Sequence, residues 1–208
     1  MFARLLSNFR STILLSLLMA LVMIWAFAQV SGRSFADADL WQAVFRWVHV
    51  LSGILWIGLL YYFNFVQIRV MPGIPAELKP AIGKHIAPEA LFWFRWSALA
   101  TVVAGLAVAF MRGHAYAIEV LSFGFAGGLT EDQKGFVLMG VGVWLAIVMF
   151  LNVWGVIWPS QKRALGLVPA EDEVKVRAGR TAMLASRINL LLSLPMLTSM
   201  AMYQTLFG

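Results

Sequence analysis

Five long apolar runs dominate the pattern of hydrophobic and polar positions along this 208-residue chain. Each run is near or above the roughly 20 residues that a helix needs to cross the hydrocarbon core of a bilayer. Short polar stretches separate the runs, so the pattern predicts an all-α, polytopic membrane helix bundle that forms a single domain over residues 1–208. The predicted transmembrane helices are residues 11–30, 43–67, 90–111, 135–158 and 182–206.

The first run has a second interpretation, as a cleaved signal peptide. Arg4 and Arg10 precede it, and Ala26-Phe27-Ala28 resembles a cleavage site. However, its apolar core extends from Ile13 to Val30, which is longer than a usual signal core. We therefore expect a retained helix.

Basic residues are concentrated in alternate loops. Because cytoplasmic loops carry an excess of Lys and Arg, this alternation predicts a cytoplasmic N-terminus and a C-terminus outside. The basic residues of the predicted cytoplasmic segments are Arg4, Arg10, Arg69, Lys79, Lys84, Lys162, Arg163, Lys175, Arg177 and Arg180. The predicted outer segments hold Arg33, Arg46, Arg112 and Lys134 together with Asp37, Asp39, Glu119, Glu131 and Asp132.

Composition agrees with a membrane protein and excludes several kinds of chemistry. Hydrophobic residues make up 61% of the chain and charged residues 12%, against about 25% charged residues in soluble globular domains. The chain has no cysteine, which excludes disulfides, thiolate metal sites and covalently attached c-type haem. The net charge is +6, and the basic residues are scattered between the apolar runs. They therefore indicate how the helices are oriented in the membrane, and no nucleic-acid partner is expected.

Arg95 stands inside the third apolar run, where a charge costs a few kcal/mol, roughly 2.5–3.5 on insertion scales. Its guanidinium could extend to the headgroups, or it could belong to a functional site. Other polar residues fall in the same cytoplasmic-side layer of the predicted bundle: Asn64 and Gln67 of the second helix, Asn152 of the fourth, and Arg187 and Asn189 of the fifth.

Two interpretations of this layer stay open. Asparagines within membrane helices often hold helices together, with about 0.6 kcal/mol for each bond. The layer, however, contains two arginines and no carboxylate, so an anionic ligand, a haem propionate or a lipid phosphate could supply the missing negative charge. A third feature, the ladder Ser97, Thr101, Gly105 and Ala109, predicts a close helix–helix contact.

His49 is the one histidine well inside a predicted helix. It begins a stripe at helical spacing that continues through Gly53, Trp56, Leu60, Asn64 and Gln67. The stripe permits two interpretations: His49 as a haem b ligand, with Gly53 leaving room for the macrocycle and Trp56 nearby, or a packed, hydrogen-bonded histidine. As a second axial ligand, His114 is the best candidate, with Met139, Met200 and Met202 behind it.

Four segments resemble the membrane module of the bacterial membrane-bound, cytochrome-c-linked urate oxidase (urate hydroxylase) family. They are WVHVLSGILWIGLLYYF (47–63), PEALFWFRWSALATVVAG (88–105), NVWGVIWPSQKR (152–163) and SRINLLLSLPMLTSM (186–200). The third is the most specific. The resemblance selects His49, Trp56, Gly58, Trp93, Arg95, Trp96, Asn152, Pro159, Gln161, Asn189 and Pro195, and so adds Gln161 to the candidate polar layer.

The resemblance implies a bacterial inner-membrane protein, here in a short form without the cytochrome c domain that full-length members carry. This chain also lacks histidines that the resemblance leads us to expect near Ala90, Phe92 and Ile188. We therefore expect a redox-associated membrane subunit that holds haem b at His49 and exchanges electrons with a separate cytochrome c. An accessory or structural subunit of a larger membrane complex is the alternative, and oxidation of a purine such as urate is a third.

Overall fold

The computed structural model describes residues 2–127 and 134–207, and this part of the chain consists of helices joined by short turns, without a strand. Five helices are long and apolar enough to cross a membrane, as the sequence predicts, so the chain is a multi-pass membrane protein. We number them spans 1 to 5: Phe9–Val30, Ala38–Gly73, Lys79–Met111, Lys134–Ala164 and Asp172–Phe207. Glu131 and Asp132, which the sequence assigns to an outer loop, lie outside the described residues.

The chain divides into two compact units at Phe45 and Arg46. The first unit contains a short helix, Phe2–Leu6, followed by span 1. Span 1 begins where the Asn8 side chain accepts hydrogen bonds from the backbone amides of Arg10 and Ser11, so two otherwise unpaired helix donors are satisfied. The polar turn after span 1 is held by an ion pair between Arg33 and Asp39, at 2.7 Å.

Spans 2 to 5 are longer than the predicted runs because their helices continue past the apolar stretch into the polar loops. The predicted runs begin after Pro88 and end before Pro159, yet both prolines lie inside spans 3 and 4. In each case a π-helical turn comes just before the proline, at Ile82–Ile86 and at Val153–Ile157. A wider turn relieves the clash between a proline ring and the carbonyl four residues earlier, so the helix bends around the proline instead of ending.

The core of the second unit is built from large side chains of spans 2, 3 and 4. Trp56, Leu60 and Met149 are fully buried and Phe94 nearly so, and the rings of Phe63 and Phe94 meet edge to face with centroids 5.6 Å apart. Lipid is as apolar as these side chains, so close van der Waals packing rather than exclusion from water holds the helices together. Small residues permit that approach. A Cβ built on Gly142 would lie 2.7 Å from Oγ of Ser199.

The segment between spans 3 and 4, which is predicted to lie outside, contains the helix His114–Leu121. This helix packs on span 4. Val120 is 1% exposed, and its carbonyl would lie 2.5 Å from a Cβ built on Gly140. The indole N–H of Trp144 donates to the carbonyl of Leu121 at 2.9 Å. Because Gly140 has no side chain, the helix His114–Leu121 can pack closely against span 4.

Candidate functional site

Three asparagines of the predicted polar layer form a hydrogen-bonded network between spans 2, 4 and 5. Asn152 donates through Nδ2 to Oδ1 of Asn189 at 2.7 Å and to the carbonyl of Ala185 at 2.9 Å. Asn189, fully buried, donates in turn to the carbonyl of Met149 at 3.0 Å. Asn64 donates to Oγ of Ser186 at 2.9 Å. The interpretation of the asparagines as interhelical contacts is therefore confirmed.

The local backbone at two of these asparagines, Asn64 and Asn152, is π-helical or adjoins a π-helical turn. Asn64 lies within the π-helical turn Tyr62–Gln67 of span 2, and Asn152 directly precedes the turn Val153–Ile157 of span 4. Single π-helical turns inside α-helices re-aim side chains and occur frequently at functional sites. The layer thus combines irregular backbone with polar side chains.

Arg95 is stacked on aromatic rings. Its guanidinium carbon lies 3.9 Å from the ring centroid of Trp158 and 5.3 Å from that of Phe92. Lys162, one turn after Trp158, places Nζ 5.7 Å from the same ring. The backbone carbonyl of Arg95 accepts a bond from Nε1 of Trp154 at 3.2 Å. We call Phe92, Arg95, Trp158 and Lys162 the Arg95 cluster.

No carboxylate neutralises the Arg95 cluster within residues 2–127 and 134–207. The ion pairs seen there join Arg33 to Asp39 and Lys175 to Asp172. The nearest acidic residue along the helix, Glu89, is exposed and accepts a hydrogen bond from Nε1 of Trp93 at 2.9 Å. The cluster therefore presents two cations that the described chain leaves unpaired.

Buried polar atoms without a hydrogen-bond partner occur in the same layer. They are Nη1 of Arg95, Oδ1 of Asn64 and Oε1 of Gln67. A buried polar group that makes no bond costs about 1–3 kcal/mol, and a charged one costs more. Such groups at one level of the bundle indicate that something other than the described side chains completes them.

The two other members of the predicted layer do not join the network. Arg187 is exposed on span 5, although Ser186 and Asn189 beside it are buried. Gln161 is half-buried on span 4, and its backbone carbonyl accepts the amide of Leu165 at the helix end. Of the two arginines in the predicted layer, Arg95 is therefore the one that stacks on aromatic rings.

His49 is half-buried on span 2 and contacts span 3. Its Nδ1 atom lies 2.8 Å from the carbonyl oxygen of Thr101. The imidazole fills the space that a side chain on Gly105 would need, since a Cβ built there would lie 2.8 Å from Nδ1 and Cε1. The ring is therefore packed and hydrogen-bonded in the structure, and Thr101 and Gly105 of the small-residue ladder lie at a close contact between spans 2 and 3.

The other residues proposed around His49 occupy different surroundings. At Gly53 the nearest neighbour of a built Cβ is Cγ2 of Thr101, at 3.7 Å, so the glycine serves the contact with span 3. Trp56 is fully buried and its indole N–H has no acceptor among the described residues. His114 is exposed at the start of the helix His114–Leu121 and packs its ring against Phe110 with centroids 5.8 Å apart.

A polar chain on the opposite, predicted outer side was missed in the sequence. Arg112 donates through Nη1 to the hydroxyl of Tyr116 at 3.0 Å, and that hydroxyl donates to the hydroxyl of Tyr203 at 3.2 Å. Burial, and secondarily the bond to Tyr203, raises the pKa of Tyr116 to about 12. The spacing of four residues between Arg112 and Tyr116 was a usable signal, whereas Tyr203 is brought there by the fold alone.

Comparisons of the chain with models of protein families, with curated proteins and with solved structures find no match. What the protein binds must therefore be inferred from its own side chains. Sequence reasoning had found Arg95 and the asparagines through their cost in an apolar run. It missed Trp158, Trp154 and Ser186, because aromatic and small residues are ordinary in membrane helices. It missed the role of Lys162 because the fourth helix was predicted to end at residue 158, whereas it continues to Ala164.

Proposed function

We propose that this protein is a membrane subunit that binds an anionic group at the Arg95 cluster, near the predicted cytoplasmic face. The observation that carries the proposal is the Arg95 guanidinium, which has a buried Nη1 without a hydrogen bond and no carboxylate partner among the described residues. Stacking on Trp158 offsets part of the cost of this charge, by about 0.5–2 kcal/mol. The remaining cost is larger at membrane depth, so a bound anion is favoured.

Two cations on one tryptophan ring strengthen this inference. Arg95 and Lys162 approach Trp158 at 3.9 and 5.7 Å, and like charges so close repel each other in a medium of low dielectric constant. An anion between or beside them removes the repulsion and accepts charge-assisted hydrogen bonds. Simple extension of Arg95 to the headgroups does not require its stacking on two rings.

The test uses thermal unfolding of the full-length protein in dodecyl maltoside. Sodium phosphate or sodium citrate is titrated at constant ionic strength against sodium chloride. An anion that binds the folded state raises Tm, and we expect this rise in the wild type and in Arg187→Gln but not in Arg95→Gln. Arg187 is the matched control because it lies in the same layer and is exposed. An equal rise in Arg95→Gln would show that the anions act elsewhere, and the proposal would fail.

A second candidate function is electron transfer through a haem b held by His49. The observation that favours it is the contact of Nδ1 with the Thr101 carbonyl at 2.8 Å. Donation from Nδ1 fixes the tautomer and leaves Nε2 as the nitrogen for iron, an arrangement common among metal-binding histidines. When bound, haem supplies one-electron chemistry, and the resemblance to the urate oxidase membrane module suggests a separate cytochrome c as partner in the bacterial inner membrane.

This second function is tested by the spectrum of the purified protein. A b-type band in the reduced-minus-oxidised spectrum should disappear in His49→Ala and persist in His85→Ala, whose histidine precedes the apolar part of span 3. Well-folded wild-type protein without a haem band would exclude it. Stoichiometric copurification of other membrane subunits, without haem, would favour an accessory role instead.

A further inference from the structure

We infer that the anion at the Arg95 cluster is the phosphate of an anionic phospholipid that enters from the side of the bundle. This inference rests on the proposed anion site and names the chemical class of its occupant. It is carried by how the cluster is placed: two unpaired cations adjoin aromatic rings that the chain leaves exposed on its apolar surface.

Access comes first. Phe92 and Trp96, which lie one turn apart on span 3, are 42% and 45% exposed, and their ring centroids are 6.4 Å apart. The ring of Phe92 also contacts the Arg95 guanidinium, with its centroid 5.3 Å from the guanidinium carbon. Exposed rings on a membrane helix face lipid, and aromatic residues concentrate at the level of the headgroups. A ligand with acyl chains can therefore reach Arg95 from the bilayer.

The aromatic surface continues across two spans. The ring of Trp96 meets that of Trp154 edge to face, with centroids 5.4 Å apart, and Trp154 donates to the backbone carbonyl of Arg95 at 3.2 Å. Spans 3 and 4 thus share one apolar surface beside the guanidinium. An acyl chain laid along these rings would bring its headgroup to Arg95 without burying any further polar group.

Charge then selects the headgroup. Arg95 and Lys162 both adjoin Trp158, and the neighbouring carboxylate, Glu89, is bonded to Trp93. A phosphate offers several acceptor oxygens, which suit the planar fork of arginine. A net negative headgroup gains from both cations, whereas the choline of a zwitterionic lipid would be repelled. Basic sites between membrane helices on the cytoplasmic side bind anionic lipid headgroups in this way.

The experiment titrates full-length protein in dodecyl maltoside with dioleoyl phosphatidylglycerol, using native mass spectrometry to count bound lipid. Dioleoyl phosphatidylcholine is the control lipid because its acyl chains are identical. Hydrogen bonds to a charged group are among the stronger ones in proteins, so Arg95→Gln should weaken phosphatidylglycerol binding by about tenfold or more. Lys162→Gln should weaken it less, and Arg187→Gln should leave it within about twofold of the wild type.

The outcomes separate the two proposals. Equal affinity for the two lipids, or an equal loss in Arg187→Gln, overturns the lipid assignment. Stabilisation by inorganic phosphate that depends on Arg95, with no preference for phosphatidylglycerol, also overturns it but leaves the anion site standing. An Arg95-independent response to every anion rejects both proposals. If Arg95→Gln does not fold, the comparison of Lys162→Gln with Arg163→Gln decides, since Arg163 is the exposed neighbour of Lys162.

Discussion

The guanidinium carbon of Arg95 lies 3.9 Å from the ring centroid of Trp158, so span 3 presents its one charge within the apolar run to an aromatic face of span 4. This contact takes the place of a salt bridge, and a cation–π contact of this kind is worth about 0.5–2 kcal/mol. Trp158→Leu should therefore lower stability by about 1–2 kcal/mol and weaken anion binding. Thermal unfolding measures both, with Trp25→Leu as the control. An unchanged Tm in Trp158→Leu would argue against a role for the stacking.

The His49 ring and Gly105 form a complementary pair between spans 2 and 3. Gly105→Ala should destabilise the protein by about 1–3 kcal/mol, because overpacking forces backbone or side-chain shifts. Combining it with His49→Ala should restore part of that loss by removing the ring that the methyl group meets. Gly58→Ala is the control, since a Cβ at Gly58 meets nothing within 4 Å. Additive losses in the double variant would contradict the contact.

The bond between Asn152 and Asn189 should appear as an energetic coupling. Each alanine substitution removes a partner from a buried group of spans 4 and 5, and a double-mutant cycle isolates the shared part. Such couplings in membrane proteins average about 0.6 kcal/mol and reach about 1.7. Because the bond is short and Asn189 is fully buried, we expect a value in the upper part of that range from reversible unfolding in detergent micelles. A coupling near zero would show that the bond does not contribute.

The raised pKa of Tyr116 makes the stability of the folded protein depend on pH in the alkaline range. Burial raises its pKa to about 12, from about 10 in an unfolded chain. The folded state thus holds the proton more tightly, so this contribution to stability is fully present below about pH 10 and is lost as the pH rises towards 12. Absorbance at 295 nm should show that Tyr116→Phe removes a tyrosine titrating near pH 12. A difference spectrum that titrates near pH 10 would contradict the raised pKa.

The predicted topology is directly testable because the chain contains no cysteine. Single cysteines at Glu77 and Ala115, both exposed, lie in segments assigned to opposite faces by the positive-inside rule. In intact cells a membrane-impermeant maleimide should label Ala115→Cys and leave Glu77→Cys unlabelled until the membrane is opened. The reverse labelling pattern would show that the orientation is opposite to the predicted one and that the Arg95 cluster lies near the outer face.

Sequence reasoning recovered the membrane class and all five spans, but it misplaced their ends. The third helix was predicted to begin after Pro88 and the fourth to end before Pro159, whereas the helices pass through both prolines by widening into π-helical turns. That adjustment depends on neighbouring helices that support the bent backbone. The spacing of prolines alone does not reveal it.

The amino-acid sequence by itself determined the five apolar spans and the cost of placing Arg95 and three asparagines within them, because length and desolvation are properties of each segment. Only the tertiary structure decided which of these groups find partners. It joins Asn152 to Asn189, sets His49 against Gly105, and exposes Arg187 while stacking Arg95 on Trp158. The physical reason is that hydrogen bonds and ring contacts between helices depend on rotation and register. Several helices set these jointly, and no single run of sequence encodes them.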